Sequence, residues 1–164
     1  MSTTEKKVIE TTENPAGTLD PLAFIVPRLD GLMDVLENAG LASDLELING
    51  EVPYLVATEP DGALTYYTYT PVDLYGEGQF VLQMSRSVTG NGKDTETSVL
   101  DVASYNLGSE FGFAVQDPLT GEIVLRAQVP ELGGLDPSFY TYAKKLFDAA
   151  YADLADLLSE SDED

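Results

Sequence analysis

Two long segments of the chain carry apolar residues at the three- and four-residue spacing of a helix. The first extends from Leu22 to Leu36 and follows Asp20-Pro21, a capping aspartate with proline at the first helical position. Pro27 lies inside this segment, where a proline costs about 3 kcal/mol in a regular helix. We therefore expect a kink or break at Pro27 and a secure helix over residues 28–40.

The second helical segment follows Asp136-Pro137, which repeats the cap-and-proline start. Its apolar stripe extends from Phe139 to Leu157, which predicts a long amphipathic helix. A shorter helix is expected between these two segments, opening at Ser98 and ending at Gly108. The acidic side chains that fall away from the stripe of the final helix are Asp148, Asp153 and Asp156.

The middle of the chain has the alternation and the turn residues of β-strands. Residues 45–47 and 52–57 flank Asn49-Gly50, a dipeptide that favours a tight hairpin turn. Residues 63–70 and 79–88 follow as two further strands. We expect these segments to form an antiparallel meander.

A second hairpin is predicted later in the chain. Residues 111–115 and 123–129 alternate on either side of a turn at residues 117–121. The order is therefore helix, three or four strands, helix, two strands, helix. This order predicts an α+β fold, in which a single antiparallel sheet of about five to six strands is covered by helices.

The length and composition favour one domain with polar ends. The chain has 164 residues, of which 43% are hydrophobic, so it is able to bury a substantial core. Residues 1–19 are polar and have no periodicity, which predicts a flexible N-terminal tail. Residues 20–158 form the predicted domain, and residues 159–164 form an acidic C-terminal tail.

The residue types that are missing exclude most catalytic chemistry. The chain has 29 acidic and 8 basic residues and neither histidine nor cysteine, which excludes serine–histidine triads, cysteine nucleophiles and zinc fingers. Among so many acids close carboxylate pairs arise by chance, so no glycosidase-like pair is favoured. The loop at residues 90–96 offers oxygen ligands without the spacing of an EF-hand. We expect no enzymatic activity, no cofactor and no metal site.

The net charge of −21 has three interpretations. It is a solubilising surface, an adaptation to high salt, or a decoy that presents carboxylates where a basic partner expects phosphates. In each case the charge repels nucleic acid and anionic membranes. No apolar run approaches the ~20 residues of a membrane span, and residues 1–7 lack the apolar stretch of a signal peptide. We therefore expect a cytoplasmic protein that binds neither nucleic acid nor membrane directly.

Tyrosines crowd into one short stretch that contains predicted strands. Strand alternation places Tyr67 and Tyr69 on one face of the sheet and Tyr66 on the other. Tyrosine is favoured where a partner half buries a surface, although ordinary packing under a helix explains these residues equally well. The candidate partner contacts are Tyr66, Tyr67, Tyr69 and Tyr75 from this stretch and Asp148, Asp153 and Asp156 from the final helix.

The second half of the chain resembles the YbjN-type bacterial family, often labelled sensory-transduction regulators. The resemblance is carried by Tyr105-Asn106-Leu107 at the end of the middle helix, the hairpin segments at residues 111–115 and 121–126, and the helix that follows Asp136. It covers residues 28–158 and implies a fold similar to that of type III secretion chaperones. Relatives with this fold tend to be dimeric binding proteins, and no functional residue is carried over from them.

Two functions are therefore expected as alternatives. The first is a non-enzymatic interaction module, chaperone-like or an adaptor, that holds another protein against its sheet or helices and is able to form a homodimer. The second is an acidic inhibitor that imitates nucleic acid and blocks a basic binding site. A mimic of this kind needs carboxylates aligned on one face, because duplex DNA carries one charge per ~1.7 Å of its axis.

Overall fold

The computed structural model describes residues 22–74, 77–88, 95–131 and 136–162. These residues form one α+β unit with three helices and a single antiparallel sheet of six strands, as the sequence predicts. The predicted tail at residues 1–19 and Tyr75 lie outside the described residues. The elements in chain order are α1 (Leu22–Asn38), β1 (Ala42–Ile48), β2 (Val52–Thr58), β3 (Leu64–Leu74), β4 (Glu77–Val88), α2 (Thr95–Gly108), β5 (Phe113–Gln116), β6 (Ile123–Pro130) and α3 (Pro137–Asp162).

The strands lie in the order β1-β2-β3-β4-β6-β5, so the two ends of the sheet are β1 and β5. The first four strands form a meander, and β6 returns to pair with β4 after the chain has passed through α2 and β5. The turn between β1 and β2 is the predicted one, with Asn49 and Gly50 both at positive φ. This conformation suits the right-handed twist of a hairpin and is tolerated best by glycine and asparagine.

One face of the sheet is covered by the three helices. The α1 helix packs over β1, β2 and β3, α3 packs over β4 and β6, and α2 packs against β5. Because side chains alternate along a strand, every second residue points into this layer, and most of those described in β2 to β6 are buried. The largest buried side chains of the sheet are Leu55, Tyr67, Leu82, Met84, Ile123 and Leu125, and those of the helices are Leu29, Leu32, Leu36, Phe147 and Leu154.

The expectation of a break at Pro27 was wrong, because α1 runs through this residue without interruption. Pro27 is the sixth residue of the helix, so the backbone hydrogen bond that it cannot donate is one close to the N-terminal end. Leu29, Leu32 and Leu36 are each at most 1% exposed, and burying one leucine stabilises a fold by about 1.5–3 kcal/mol. Their combined burial exceeds the cost of about 3 kcal/mol for the proline.

The bounds of the other two helices differ slightly from those predicted. The α2 helix begins at Thr95, three residues before Ser98, and ends at Gly108 as expected. Asp136 caps α3, since its Oδ1 accepts hydrogen bonds from the backbone N–H of Ser138 at 3.0 Å and from its hydroxyl at 2.8 Å. The α3 helix continues to Asp162, beyond the boundary predicted for the C-terminal tail.

The outer edge of β5 is closed by a side chain from α2. The amide of Asn106 accepts a hydrogen bond from the backbone N–H of Ala114 at 2.7 Å and donates one to the carbonyl of Ala114 at 3.0 Å. These two bonds reproduce what a neighbouring strand would offer at that residue. The exposed end of the sheet at β5 is therefore blocked by a single asparagine.

The Asn106 amide should contribute measurably to stability. Replacing it with leucine, which has a similar size, removes both hydrogen bonds and leaves the backbone of Ala114 without partners. We expect the free energy of unfolding in urea to fall by about 1–3 kcal/mol. Asn106→Asp retains only the accepting oxygen, so its loss should be smaller than that of Asn106→Leu, and equal losses would contradict the paired role.

Candidate protein-binding surface

The face of the sheet opposite the helices is open in the part of the chain that the structure describes. It presents the strand residues that alternate with the buried set. Cross-strand pairing aligns one row of this open face across five strands. The row consists of Val56, Tyr66, Ser85, Arg126 and Phe113.

A shallow concavity with a volume of about 450 Å³ lies in the middle of the open face. The rings of Tyr54 and Tyr66 are in contact there, with their centroids 6.1 Å apart. The hydroxyl of Tyr54 donates a hydrogen bond of 2.5 Å to Oε2 of Glu46, and this bond raises the pKa of Tyr54. The residues that line the concavity are Ile48, Tyr54, Tyr66, Thr68, Gln83, Ser85 and Arg126.

Large apolar side chains surround this polar centre. Tyr66 is 39% exposed, and the other side chains retain between 41% and 48% of their surface in contact with solvent. Such a mixture of exposed aromatic and aliphatic groups around hydroxyl and amide groups is typical of protein interfaces. The surrounding apolar residues are Ile48, Val52, Leu64, Phe113 and Val115.

The charge on the open face differs from that of the whole chain. Arg126 is its one basic side chain among those that the structure describes, and it lines the concavity from β6, the strand next to the β5 edge. Asp44 and Glu46 are exposed at one margin, on β1. The middle of the open face is therefore close to neutral, although the chain carries a net charge of −21.

The structure separates the predicted partner contacts. Tyr66 lies on the open face, opposite Tyr67 and Tyr69, as strand alternation predicts. The prediction that Tyr67 and Tyr69 contact a partner was wrong, because these residues lie beneath the helices and are only 0% and 4% exposed. Their alternative interpretation, packing of the sheet under a helix, is the one that the burial confirms. Asp153 and Asp156 are exposed on α3, in the opposite layer from Tyr66.

Asp153 lies at a second concavity, between α2 and α3. This cleft has a volume of about 570 Å³ and combines apolar residues with two acids. Asp153 and Glu110 are its charged residues, so the cleft has the sign of the chain as a whole. Its other lining residues are Ser104, Tyr105, Gly108, Ser109, Phe111, Leu146, Ala149, Ala150 and Leu157.

Asp148 belongs to a network of ion pairs and is not a free contact. Arg86 is 4% exposed and binds Oδ1 of Asp148 at 2.8 Å and Oε2 of Glu59 at 3.4 Å. The ammonium group of Lys144 binds the other oxygen of each carboxylate, at 2.8 Å in Asp148 and 3.1 Å in Glu59. Thr65 accepts a hydrogen bond from Nε of Arg86 and donates one to Glu59. Each charge in this network therefore faces two opposite charges.

The network anchors α3 on the sheet. The guanidinium of Arg86 lies 5.1 Å from the ring centre of Phe147 and 4.6 Å from that of Tyr151, so aromatic rings from α3 also enclose it. At the other end of the domain Arg28 binds Glu131 at 2.9 Å and stacks 4.1 Å above the ring of Phe80. These interior pairs use three of the five basic side chains in the described part of the chain.

Three buried oxygen atoms lie beside the Arg28 pair without a hydrogen bond of standard geometry in the described part of the chain. They belong to the hydroxyls of Tyr69 and Tyr140 and to Oε2 of Glu131. Burial, the neighbouring phenol and the charge of Glu131 raise the pKa of Tyr69. Burial also raises the pKa of Tyr140. Both phenols are therefore held in the neutral form.

The buried network was missed in the sequence, although a signal for Arg86 was present. Leu82, Met84 and Arg86 occupy alternate positions of one strand, so Arg86 continues the phase of the buried set. A charged residue in that phase needs a buried partner of opposite sign. Nothing in the sequence indicates that Glu59 and Lys144, which are 85 residues apart, provide the partners.

Removing Arg86, the buried centre of this network, should be far more costly than removing an exposed arginine. Arg86→Met leaves Glu59 buried with Lys144 as its remaining ionic partner, and we expect the free energy of unfolding to fall by about 3 kcal/mol. Arg126→Met on the open face is the matched control and should change it by about 0.5 kcal/mol or less. Equal losses in urea unfolding would show that the network contributes no more than an exposed charge.

Alkaline pH should destabilise the fold through its buried tyrosines. Burial raises the pKa of Tyr67 above its ordinary value of 10.0. Above about pH 10 the unfolded chain therefore loses phenol protons that the folded chain retains, so the free energy of unfolding falls with rising pH. Tyr67→Phe should make this fall shallower, since it removes one such phenol.

Urea unfolding measured between about pH 7 and pH 11 tests this prediction. Tyr67→Phe should also be neutral or stabilising by up to about 1 kcal/mol at pH 7, because the buried Tyr67 hydroxyl makes no hydrogen bond to the residues that the structure describes. Tyr142→Phe is the control, as Tyr142 is 63% exposed. The prediction fails if both variants retain the alkaline slope of the unsubstituted protein.

The described ranges contain no group of three acidic side chains arranged to hold a metal ion. No helix within them is both long and apolar enough to cross a membrane. Comparison of the chain with family models, with curated proteins and with solved structures finds no match. The resemblance to YbjN-type proteins therefore stays a prediction.

Proposed function

We propose that this protein is a non-enzymatic interaction module of the cytoplasm, an adaptor or chaperone-like domain that holds another protein against the open face of its sheet. The observation that carries the proposal is the exposure of Tyr66, Leu64 and Phe113 on a face that no described element covers. A surface of this composition loses unfavourable contact with water when a partner covers it.

The chemistry of the open face favours a protein as the partner. Tyr54 and Tyr66 offer flat rings with hydroxyl groups, and Gln83 and Ser85 offer side-chain donors and acceptors beside them. Such groups fit the mixed polar and apolar surface of a folded protein or a peptide. Nucleic acid is disfavoured because Arg126 is the one basic side chain among the described residues of this face, whereas the chain carries a net charge of −21.

The ion pairs between α3 and the sheet support a binding function over catalysis. Glu59 and Asp148 share two cations, since each forms ion pairs with both Arg86 and Lys144. In each of these carboxylates both oxygens contact a cation. These acids therefore serve to hold α3 on the sheet.

A second candidate function, imitation of nucleic acid, is favoured by the acids of the helical layer. Asp34 and Glu37 are exposed on α1, and Asp153 and Asp156 are exposed on α3, which packs against α1. A basic protein that docks on this layer would contact carboxylates of the helices. It would not contact the described residues of the open face. The two functions therefore use opposite sides of the molecule.

Site-specific crosslinking distinguishes the two sides. A photoreactive amino acid is placed at Tyr66 on the open face, at Asp153 on α3, or at Tyr142, which is a control tyrosine on α3. We expect a protein client to crosslink from position 66 and not from position 142. The crosslink should survive washing at about 0.3 M salt, because burial of apolar surface is not screened by ions.

Other patterns of crosslinking would overturn the proposal. A client captured from position 153 alone and lost between about 0.05 and 0.3 M salt would replace it with the nucleic-acid mimic. Equal capture from positions 66 and 142 would show that the open face has no special role.

A further inference from the structure

The two edge strands of the sheet, β5 and β1, differ in whether their outward backbone groups have partners. At β5, the Asn106 amide occupies the outward backbone groups of Ala114. At the other end, β1 has seven residues and no strand beside it on its outer side in the part of the chain that the structure describes. The open edge of β1 therefore retains unused hydrogen-bonding groups along its backbone, and such an edge is a template for another strand.

The side chains of β1 alternate in chemistry between the two faces. Leu45 and Leu47 are on the helical side, where they remain 36% and 54% exposed at the margin of α1. Asp44 and Glu46 are exposed on the open side, next to the concavity that contains Tyr54. The strand contains neither proline nor lysine, two residues that commonly protect an edge.

A second copy of the chain fits this edge poorly. Two copies could pair their β1 strands in antiparallel orientation. Residues directly opposite each other point to the same face of a sheet, so the helices of both copies lie on one side only if the two-fold axis passes through a residue. Centring on Leu45 places Asp44 of one copy opposite Glu46 of the other, and centring on Asp44 or on Glu46 places that residue opposite itself. Centring nearer either end of β1 pairs at most three of its seven residues. Like charges directly opposite each other destabilise a sheet, and each copy also carries a net charge of −21.

We propose that β1 accepts an extended segment of a partner protein in which basic and apolar residues alternate. This inference rests on the proposed function and identifies the segment of the partner that would lie beside the open face. The backbone of the segment pairs with β1 as a seventh strand. Its lysine or arginine side chains face Asp44 and Glu46, and its valine, isoleucine or leucine side chains cover Leu45 and Leu47.

A peptide probe tests the register that this arrangement requires. The probe is a fluorescent peptide of sequence Val-Lys-Ile-Lys-Val-Lys-Ile with blocked ends, and its control has the same composition with the three lysines adjacent. Binding of each to the full chain is measured at an ionic strength of about 0.05 M, where screening is weak. We expect the alternating peptide to bind about tenfold more tightly than the control. Equal affinity would overturn the inference, because it would reflect net charge alone.

Two matched double variants locate the site. D44N/E46Q removes two charges from β1, and D34N/E37Q removes two exposed charges from α1. We expect D44N/E46Q to weaken binding of the alternating peptide by about tenfold and D34N/E37Q to change it by less than about twofold. Equal weakening by both variants would place the peptide at no specific edge and would overturn the inference.

Hydrogen exchange shows whether another segment already occupies the edge. In the free protein, the outward amides of β1 should exchange rapidly, and the alternating peptide should slow them. Slow exchange of these amides in the free protein would overturn the inference, because another strand would already occupy the edge. If the exchange rate depends on protein concentration, that strand belongs to a second copy; if it does not, the strand belongs to the same chain. Loss of this inference with retention of the Tyr66 crosslink would leave the proposed function standing.

Discussion

The organisation of this protein follows from the fact that its sheet has two faces and its described helices cover only one. Burial of alternate residues of β2 to β6 beneath α1, α2 and α3 supplies the apolar core. The same alternation sends Tyr66, Arg126 and Phe113 to the uncovered side, in register across neighbouring strands. The alternation of strand side chains therefore produces both the core and the interaction surface that we infer.

The scarcity of basic residues makes their positions informative. Arg28, Arg86 and Lys144 lie in ion pairs between the helices and the sheet, where removal of one partner would leave a buried charge. The surface of the described chain keeps two basic side chains, Arg126 and Lys145. Because these three cations are matched by Glu59, Glu131 and Asp148, the net negative charge of the chain comes from the remaining residues, and the near-neutral centre of the open face is the exception.

Local patterns in the sequence were sufficient for the order of elements. The Asn49-Gly50 turn, the Asp136-Pro137 cap and the alternation of β6 each depend on residues close together in the chain, and all are confirmed. The course of α1 through Pro27 was not predictable in this way, because it depends on how much tertiary burial opposes a local cost.

The candidate site was less predictable for the same reason. Alternation correctly separates Tyr66 from Tyr67 and Tyr69, but aromatic residues point to both faces, so periodicity could not tell which face the helices would cover. The long-range pairing of Glu59 with Lys144 is also invisible to local patterns. What limits prediction here is the choice between two chemically similar faces.

The Asn106 clamp has a consequence for the stoichiometry of assemblies. A sheet that is open at both ends is able to add molecules head to tail without limit, which is the geometry of a fibre. Here one terminus is sealed by the side-chain amide that holds Ala114. Growth by strand addition at that end would have to displace this amide, so the described edge that is free to accept a strand is the one at β1.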